Sequence, residues 1–203
     1  MPFKNVFLAG LMSMLLLSNN SVRAECKVDI DNPPTHTLTE EDFNLPPVLV
    51  ALLHDPNIHR YGNGLGFSTN YCLGSVVATF YIYDLGADKI ADGVKDEQVN
   101  HAFFQAKKEI EMFHSDLEEI LQPQVTTAAG KFKVVINLFQ GKDRDQEPVV
   151  TSLFITGFKN KIVKLRFSRH VQSKMDKEEA IKTIQFGLVL LSEFLTNNQP
   201  QTR

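Results

Sequence analysis

Hydrophobic positions recur along this chain with two periods, and the switch between them lays out the fold. Over residues 75–83, Val76, Ala78, Phe80 and Ile82 alternate with Ser75, Val77, Thr79, Tyr81 and Tyr83, the period of a strand. Over 96–121 the spacing lengthens to that of a helix. Ala102, Phe103, Ala106, Ile110, Phe113, Leu117, Ile120 and Leu121 make one apolar stripe, with Asp96 as N-cap and Pro123 as the stop. Period two returns over 131–140, where Phe132, Val134, Ile136 and Leu138 share a face, and again over 149–156 and 161–168. A charged turn (141–147) and Gly157-Phe158-Lys159-Asn160 connect these three strands. Asp176 and Glu179 form a capping box that opens a final helix carrying Ile181, Ile184, Leu188, Leu191 and Leu195. Phe186, Val189, Leu190 and Phe194 widen its apolar surface, so it should be covered on more than one side.

Upstream the pattern is less regular. Pro33, Pro34, Pro46 and Pro47 block regular pairing over 25–47, which is expected to be an extended leader. The run 48–54, VLVALLH, suggests a short helix with Pro47 as its first residue. Gly62-Asn63-Gly64, between extended segments at 60–61 and 66–71, signals a tight hairpin turn. Consecutive strands on short turns must pair antiparallel. One mainly antiparallel sheet packed by helices, an α+β domain over 48–197 with a polar tail at 198–203, buries both helical stripes.

Residues 1–24 have the form of a secretory signal peptide: Lys4, an apolar stretch over 6–17, then small Val22 and Ala24 ahead of a cut before Glu25. That stretch is shorter than the roughly 20 residues a membrane-spanning helix needs. The expected address is therefore secreted or periplasmic, with no transmembrane segment in the mature form. The two cysteines, Cys26 and Cys72, are then best explained as a disulfide. Glu25 occupies the place where lipidation of Cys26 would want a small residue. A net charge of −3 with mixed signs gives no general attraction to nucleic acid.

The run from Lys131 to Phe194 goes strand, charged turn, strand, Gly157-Phe158-Lys159-Asn160, strand, capped helix. With the earlier Gly66-Phe67-Ser68 strand, it resembles the PsbP/Mog1-like α/β/α sandwich in topology. The resemblance spans about two thirds of the mature chain. It implies a secreted accessory or partner-binding domain without catalytic machinery of its own, and it transfers no site residues.

Candidate chemistry is sparse. His54, Asp55 and His59 are metal-ligand types, but Pro56 separates the histidines and four ligands are not in view, so a solvated loop is expected. His101 and His114 point to different faces of the long helix and are expected at its surface or edge. The 62–66 glycines lack the following helix of a nucleotide-binding loop. No catalytic residue, metal or cofactor is assigned. The best binding candidate is a basic patch of Lys131, Lys133, Lys164 and Arg166 on one sheet face, bordered by Tyr81 and Tyr83. It would suit an acidic protein partner or another anionic ligand. The expected function is a non-catalytic partner-binding domain. The alternatives are a small-molecule or lipid carrier, motivated by the apolar final helix, and an extracytoplasmic enzyme with a dispersed site.

Overall fold

A computed structural model describes residues 28, 34–62 and 65–200. The expected signal peptide, Cys26, and Asn63 and Gly64 of the hairpin turn lie outside the described residues.

The elements run β1 (Leu38–Glu40), β2 (Phe43–Leu45), β3 (Val48–Leu49), β4 (Leu52–His54), β5 (His59–Arg60), β6 (Gly66–Leu73) and β7 (Val76–Tyr83). They continue with α1 (Glu97–Phe113), β8 (Ser115–Ala128), β9 (Phe132–Lys142), β10 (Pro148–Phe158), β11 (Lys161–His170) and α2 (Lys177–Asn197). β1 and β2 form a separate hairpin, and the rest make one sheet in the order β3-β4-β6-β7-β11-β10-β9-β8, with β5 beside β6. Every pairing is antiparallel. From β7 the chain crosses through α1 to the far edge, then returns strand by strand until β11 docks on β7.

Strand alternation divides the core between two faces. Phe80, Ile82, Val134, Ile136, Phe154, Val163 and Leu165 pack with Leu190, Leu191, Phe194 and Leu195 of α2. Val135, Phe139, Leu153, Ile155 and Ile162 pack with Val99, Ala102, Phe103, Ala106 and Ile110 of α1. The two helices thus lie on opposite faces. Both N-termini are capped as the sequence suggests: Asp96 Oδ1 accepts from Gln98 N at 2.9 Å, and the Asp176/Glu179 capping box is complete. Lys159 and Asn160 have φ of 52° and 61°. That pair of positive values is what a two-residue hairpin turn of the right twist demands.

Four sequence expectations need correction. The 48–54 run is a hairpin rather than a helix, turned at Val50 with φ 58°. A seven-residue segment is too short to nucleate a helix alone, and Leu53 and His54 instead extend the sheet against Cys72 and Tyr71. The leader is structured before Pro47: Phe43 and Leu45 are 1% and 0% exposed, and Phe43 stacks on Phe194 of α2 at 6.1 Å. The long helix ends at Phe113, not Leu121. Register shifts at Ser115/Glu118, Glu119/Leu121 and Leu121/Gln124 break the period-two pattern of β8. Bulges of this kind let Leu117, Ile120 and Leu121 turn inward at spacings that mimic a helix. Finally, α2 is less fully covered than its composition suggests, because Ile181 and Val189 remain exposed. Its C-terminal half does meet two neighbours, the sheet and the β1–β2 hairpin.

The expected core is found at Phe103, Ile110, Val134, Ile136, Leu165, Phe167 and Leu191. Phe113, Ile184 and Leu188 are only half-buried, and Phe113 lies under the Arg144 guanidinium at 5.1 Å. Asn198, assigned to the polar tail, is buried: its Oδ1 accepts from Asn44 N at 2.6 Å and its Nδ2 donates to Phe194 O at 2.9 Å.

Candidate functional site

α1 covers β9, β10 and the near side of β11, and leaves the same sheet face open over β6 and β7. The open part is polar. Pairing register aligns its side chains in rows: Ser68, Tyr81 and Lys164 in one, Asn70, Thr79 and Arg166 in the next, and Val77 and Ser168 beyond. Ser68, Asn70, Thr79, Tyr81, Arg166 and Ser168 are all half-buried, whereas intervening residues on the other face, such as Phe67, Phe80, Ile82 and Leu165, are fully enclosed. The result is a shelf of hydroxyl, amide and cationic groups on a rigid sheet, bounded on one side by α1. Thr79 donates to Asn70 Oδ1 at 2.8 Å across it.

Lys164 is the least exposed charge of the shelf, at 8%. Its ammonium sits 4.1 Å from the Tyr81 ring centre, 5.8 Å from that of Tyr83, and 3.3 Å from Glu109 Oε2 of α1. Burial pushes its pKa down, but Glu109 and the surrounding tyrosines outweigh burial and hold it above the ordinary lysine value. The same enclosure pushes the Tyr83 phenol up to about 12, and raises Tyr61, which bonds to Ser68. Lys164 is therefore a fixed cation at neutral pH.

Arg166 is held from the side. Its Nη2 donates to His114 Nε2 at 3.3 Å, and His114 Nδ1 lies 3.3 Å from the Lys142 carbonyl. For Arg166 to donate, Nε2 must be bare and the proton must sit on Nδ1, facing that carbonyl. Burial, aided by the Arg166 charge, pushes the His114 pKa down to about 4 and keeps the ring neutral. His114 was expected at a helix edge. It is in fact the residue that ends α1, 6% exposed.

The basic patch expected from sequence is divided. Lys164, Arg166, Tyr81 and Tyr83 come together, although Tyr83 is buried rather than bordering solvent. Lys131 and Lys133 are exposed at the tip of the β8–β9 hairpin, two strands away from Lys164. The four cations therefore do not make one solvated surface: α1 lays Glu109 over Lys164. Sequence reading missed Ser68, Asn70, Thr79, Glu109 and His114. Alternation around Tyr81 and Phe67 carries a signal for the first three, while Glu109 and His114 depend on where α1 crosses.

His54 and His59 do not meet as ligands. His54 is buried rather than solvated, its Nε2 is 2.6 Å from Thr69 Oγ1, and burial pushes its pKa down to about 4. His59 is exposed on β5. Among the described residues no group of His, Cys, Asp or Glu is placed to hold a metal ion. Asp143 and His170 pair at 3.1 Å, but Asp143 also accepts from the backbone of Asp145 and Glu147, which makes it the organiser of the β9–β10 turn. Cys72 lies buried in β6 and is not a free thiol.

No helix among the described residues is long and apolar enough to cross a membrane. Compared with protein-family models and with curated proteins, the chain matches none. Among solved structures it is similar to the Protein of Unknown Function PA94 from Pseudomonas aeruginosa. The likeness has 9% identity and a TM-score of 0.36, over 83% of this chain and 98% of that one.

Proposed function

We propose that the protein is a non-catalytic partner-binding domain acting outside the cytoplasm, and that it binds an anionic partner on the polar shelf beside α1. The observation that carries this reading is the alignment of Lys164 and Arg166 in adjacent rows with Ser68, Tyr81, Asn70 and Thr79. Arg166 is the shelf's accessible cation, because Lys164 is already engaged by Glu109. An arginine fixed by His114 offers its remaining N–H groups in a set direction, which suits a carboxylate or a similar planar anion. Hydroxyl and amide groups on either side would complete the contacts.

The PsbP/Mog1-like sandwich belongs to this reading, supported by a helix on each face of an antiparallel sheet. So does export, supported by the Lys4, apolar and Val22/Ala24 pattern. A Cys26–Cys72 disulfide would then tie the mature N-terminus to β6. Intact mass of protein recovered from outside the cytoplasm should match a chain starting at Glu25, less two hydrogens. Retention of Met1, or two titratable thiols, would count against these assignments.

The deciding experiment is capture from the native cell envelope under non-reducing conditions, followed by affinity measurement with the captured partner. Arg166→Glu should weaken binding by at least about tenfold, and rising salt should weaken the wild type. Equal affinity of wild type and Arg166→Glu at low salt would overturn the shelf as the binding face.

A further inference from the structure

β6, β7 and β11 are interior strands with neighbours on both sides. Their backbone groups are used within the sheet, so only side chains are left to meet a partner. In the middle row of the shelf these are Asn70, Thr79 and Arg166, half-buried and set side by side at the strand spacing of about 4.8 Å. Thr79 gives its hydroxyl proton to Asn70 Oδ1 at 2.8 Å. The positive charge of Arg166, in the neighbouring position, favours that direction because it attracts the lone pairs of the hydroxyl oxygen. The row therefore offers, in order, a donor at Asn70 Nδ2, an acceptor at Thr79 Oγ1 and a charged donor at Arg166. His114 takes one N–H of Arg166 Nη2. Each two-pronged edge of a guanidinium uses one Nη2 hydrogen, so one such edge remains. Glu109 offsets Lys164 and His114 is neutral, which leaves one positive charge on the shelf to be matched.

We infer that, granted binding on the shelf as proposed above, the partner enters it by its chain end: the anion is the α-carboxylate of a polypeptide's C-terminal residue. In an extended strand the N–H and C=O of one residue point to the same side, and the next groups on that side belong to the residue two positions back. A chain end therefore shows, along one side, a carbonyl, an N–H and a carboxylate in that order. Laid across the strands, these meet Asn70 Nδ2, Thr79 Oγ1 and the free edge of Arg166 in turn. Capture of a terminal carboxylate beside its own backbone is a recurring mode of peptide recognition. An Asp or Glu side chain fits less well. Its carboxylate is held away from the backbone by one or two methylene groups, so Arg166 is satisfied while Thr79 goes without its donor. A phosphate monoester carries close to two negative charges at neutral pH, more than the shelf balances.

Amide chemical-shift titration of the purified protein at low salt tests this with three probes. They are N-acetyl-Ala-Ala-Ala with a free C-terminus, its C-terminal amide, and N-acetyl-Ala-Asp-Ala amide, which has the same charge as the first. The free acid should bind saturably with a Kd of about 1 mM and shift amides of β6, β7 and β11. Each of the other two should bind at least about tenfold more weakly. Thr79→Val removes the acceptor and should weaken the free acid about fivefold, and Arg166→Gln should abolish saturation. The inference is overturned by a free acid that does not bind, by an amide that binds equally well, or by affinity for the free acid that is unchanged in Thr79→Val. Should Arg166→Gln fail to fold, the Thr79→Val comparison decides. An Asp-containing probe that equals the free acid overturns the chain-end assignment and leaves the shelf in place as an anion site. The shelf itself is judged by the captured partner against Arg166→Glu, so the two readings fail separately.

Discussion

The ring of Phe154 occupies the space that a side chain at Gly187 would need, so β10 and α2 meet at the distance set by a bare Cα. A methyl group there would collide with the ring's outer carbons, and Phe154 is itself fully buried with nowhere to retreat. Alanine ordinarily stabilises a helix interior by about 0.5–1 kcal/mol over glycine. Overpacking a tight core costs about 1–3 kcal/mol. The second effect wins, so Gly187→Ala should lower the unfolding free energy by about 1–2 kcal/mol in urea titration. Phe154→Leu in the same chain should recover part of that loss; a Gly187→Ala protein more stable than wild type would contradict the packing.

Glu109 joins α1 to the shelf through Lys164. Removing the acid strands a nearly enclosed cation, whereas replacing the cation by an apolar side chain of similar length does not. Glu109→Gln should therefore cost about 2 kcal/mol, less than for a wholly buried pair because both groups keep some contact with water. Lys164→Met should cost less than half as much. Equal losses in the two variants, measured by chemical denaturation, would argue against this account.

Two buried histidines make the fold acid-sensitive. His54 and His114 are both held down to about 4 by burial, with Arg166 adding to the effect at His114. In the unfolded chain they would protonate near pH 6.5. Between those values the unfolded state binds more protons, so stability falls as pH drops from about 6.5 to about 4. Each ring should contribute roughly 2 kcal/mol to this loss after allowance for partial solvent contact. Urea midpoints at pH 7, 5.5 and 4 should track it, and a His54→Gln/His114→Gln variant should show a flatter slope over the same window.

Phe43 anchors the β1–β2 hairpin under α2, touching Phe67, Phe158 and Phe194. Phe43→Ala should cost about 3–5 kcal/mol. It should also release residues 34–47 to limited proteolysis before the sheet is cut. A protected segment in that variant would mean the hairpin is held by other contacts, such as Asn44 with Asn198.

The strands that alternate cleanly were legible in the sequence, as were both helix caps and the Lys159-Asn160 turn, because each depends on chemistry within a few residues. β8 was not. Its bulges place Leu117, Ile120 and Leu121 at intervals that a helix would also use, and only pairing with β9 decides between the two. β4, and β3 that pairs with it, were hidden for a similar reason, since the residues that fix β4 in the sheet, Tyr71 and Cys72, lie beyond two further turns. At the shelf, Lys164 and Arg166 could be placed on one face from alternation alone. Their chemistry could not be read, because Glu109 and His114 arrive from a helix some 50 residues earlier in the chain.

The pairing of β7 with β11 also bears on how fast the chain can fold. Tyr81 meets Lys164 and Phe80 meets Leu165 across all the chain that makes α1, β8, β9 and β10. The sheet thus consists of two locally connected halves joined by a contact spanning more than eighty residues of chain. Such closures carry a loop entropy that local hairpins do not, and they slow folding. Until β11 arrives, β7 is itself an open edge, lined by Phe80 and Ile82. A chain that crosses a membrane before folding would expose that edge to its neighbours for as long as its last forty residues remain behind.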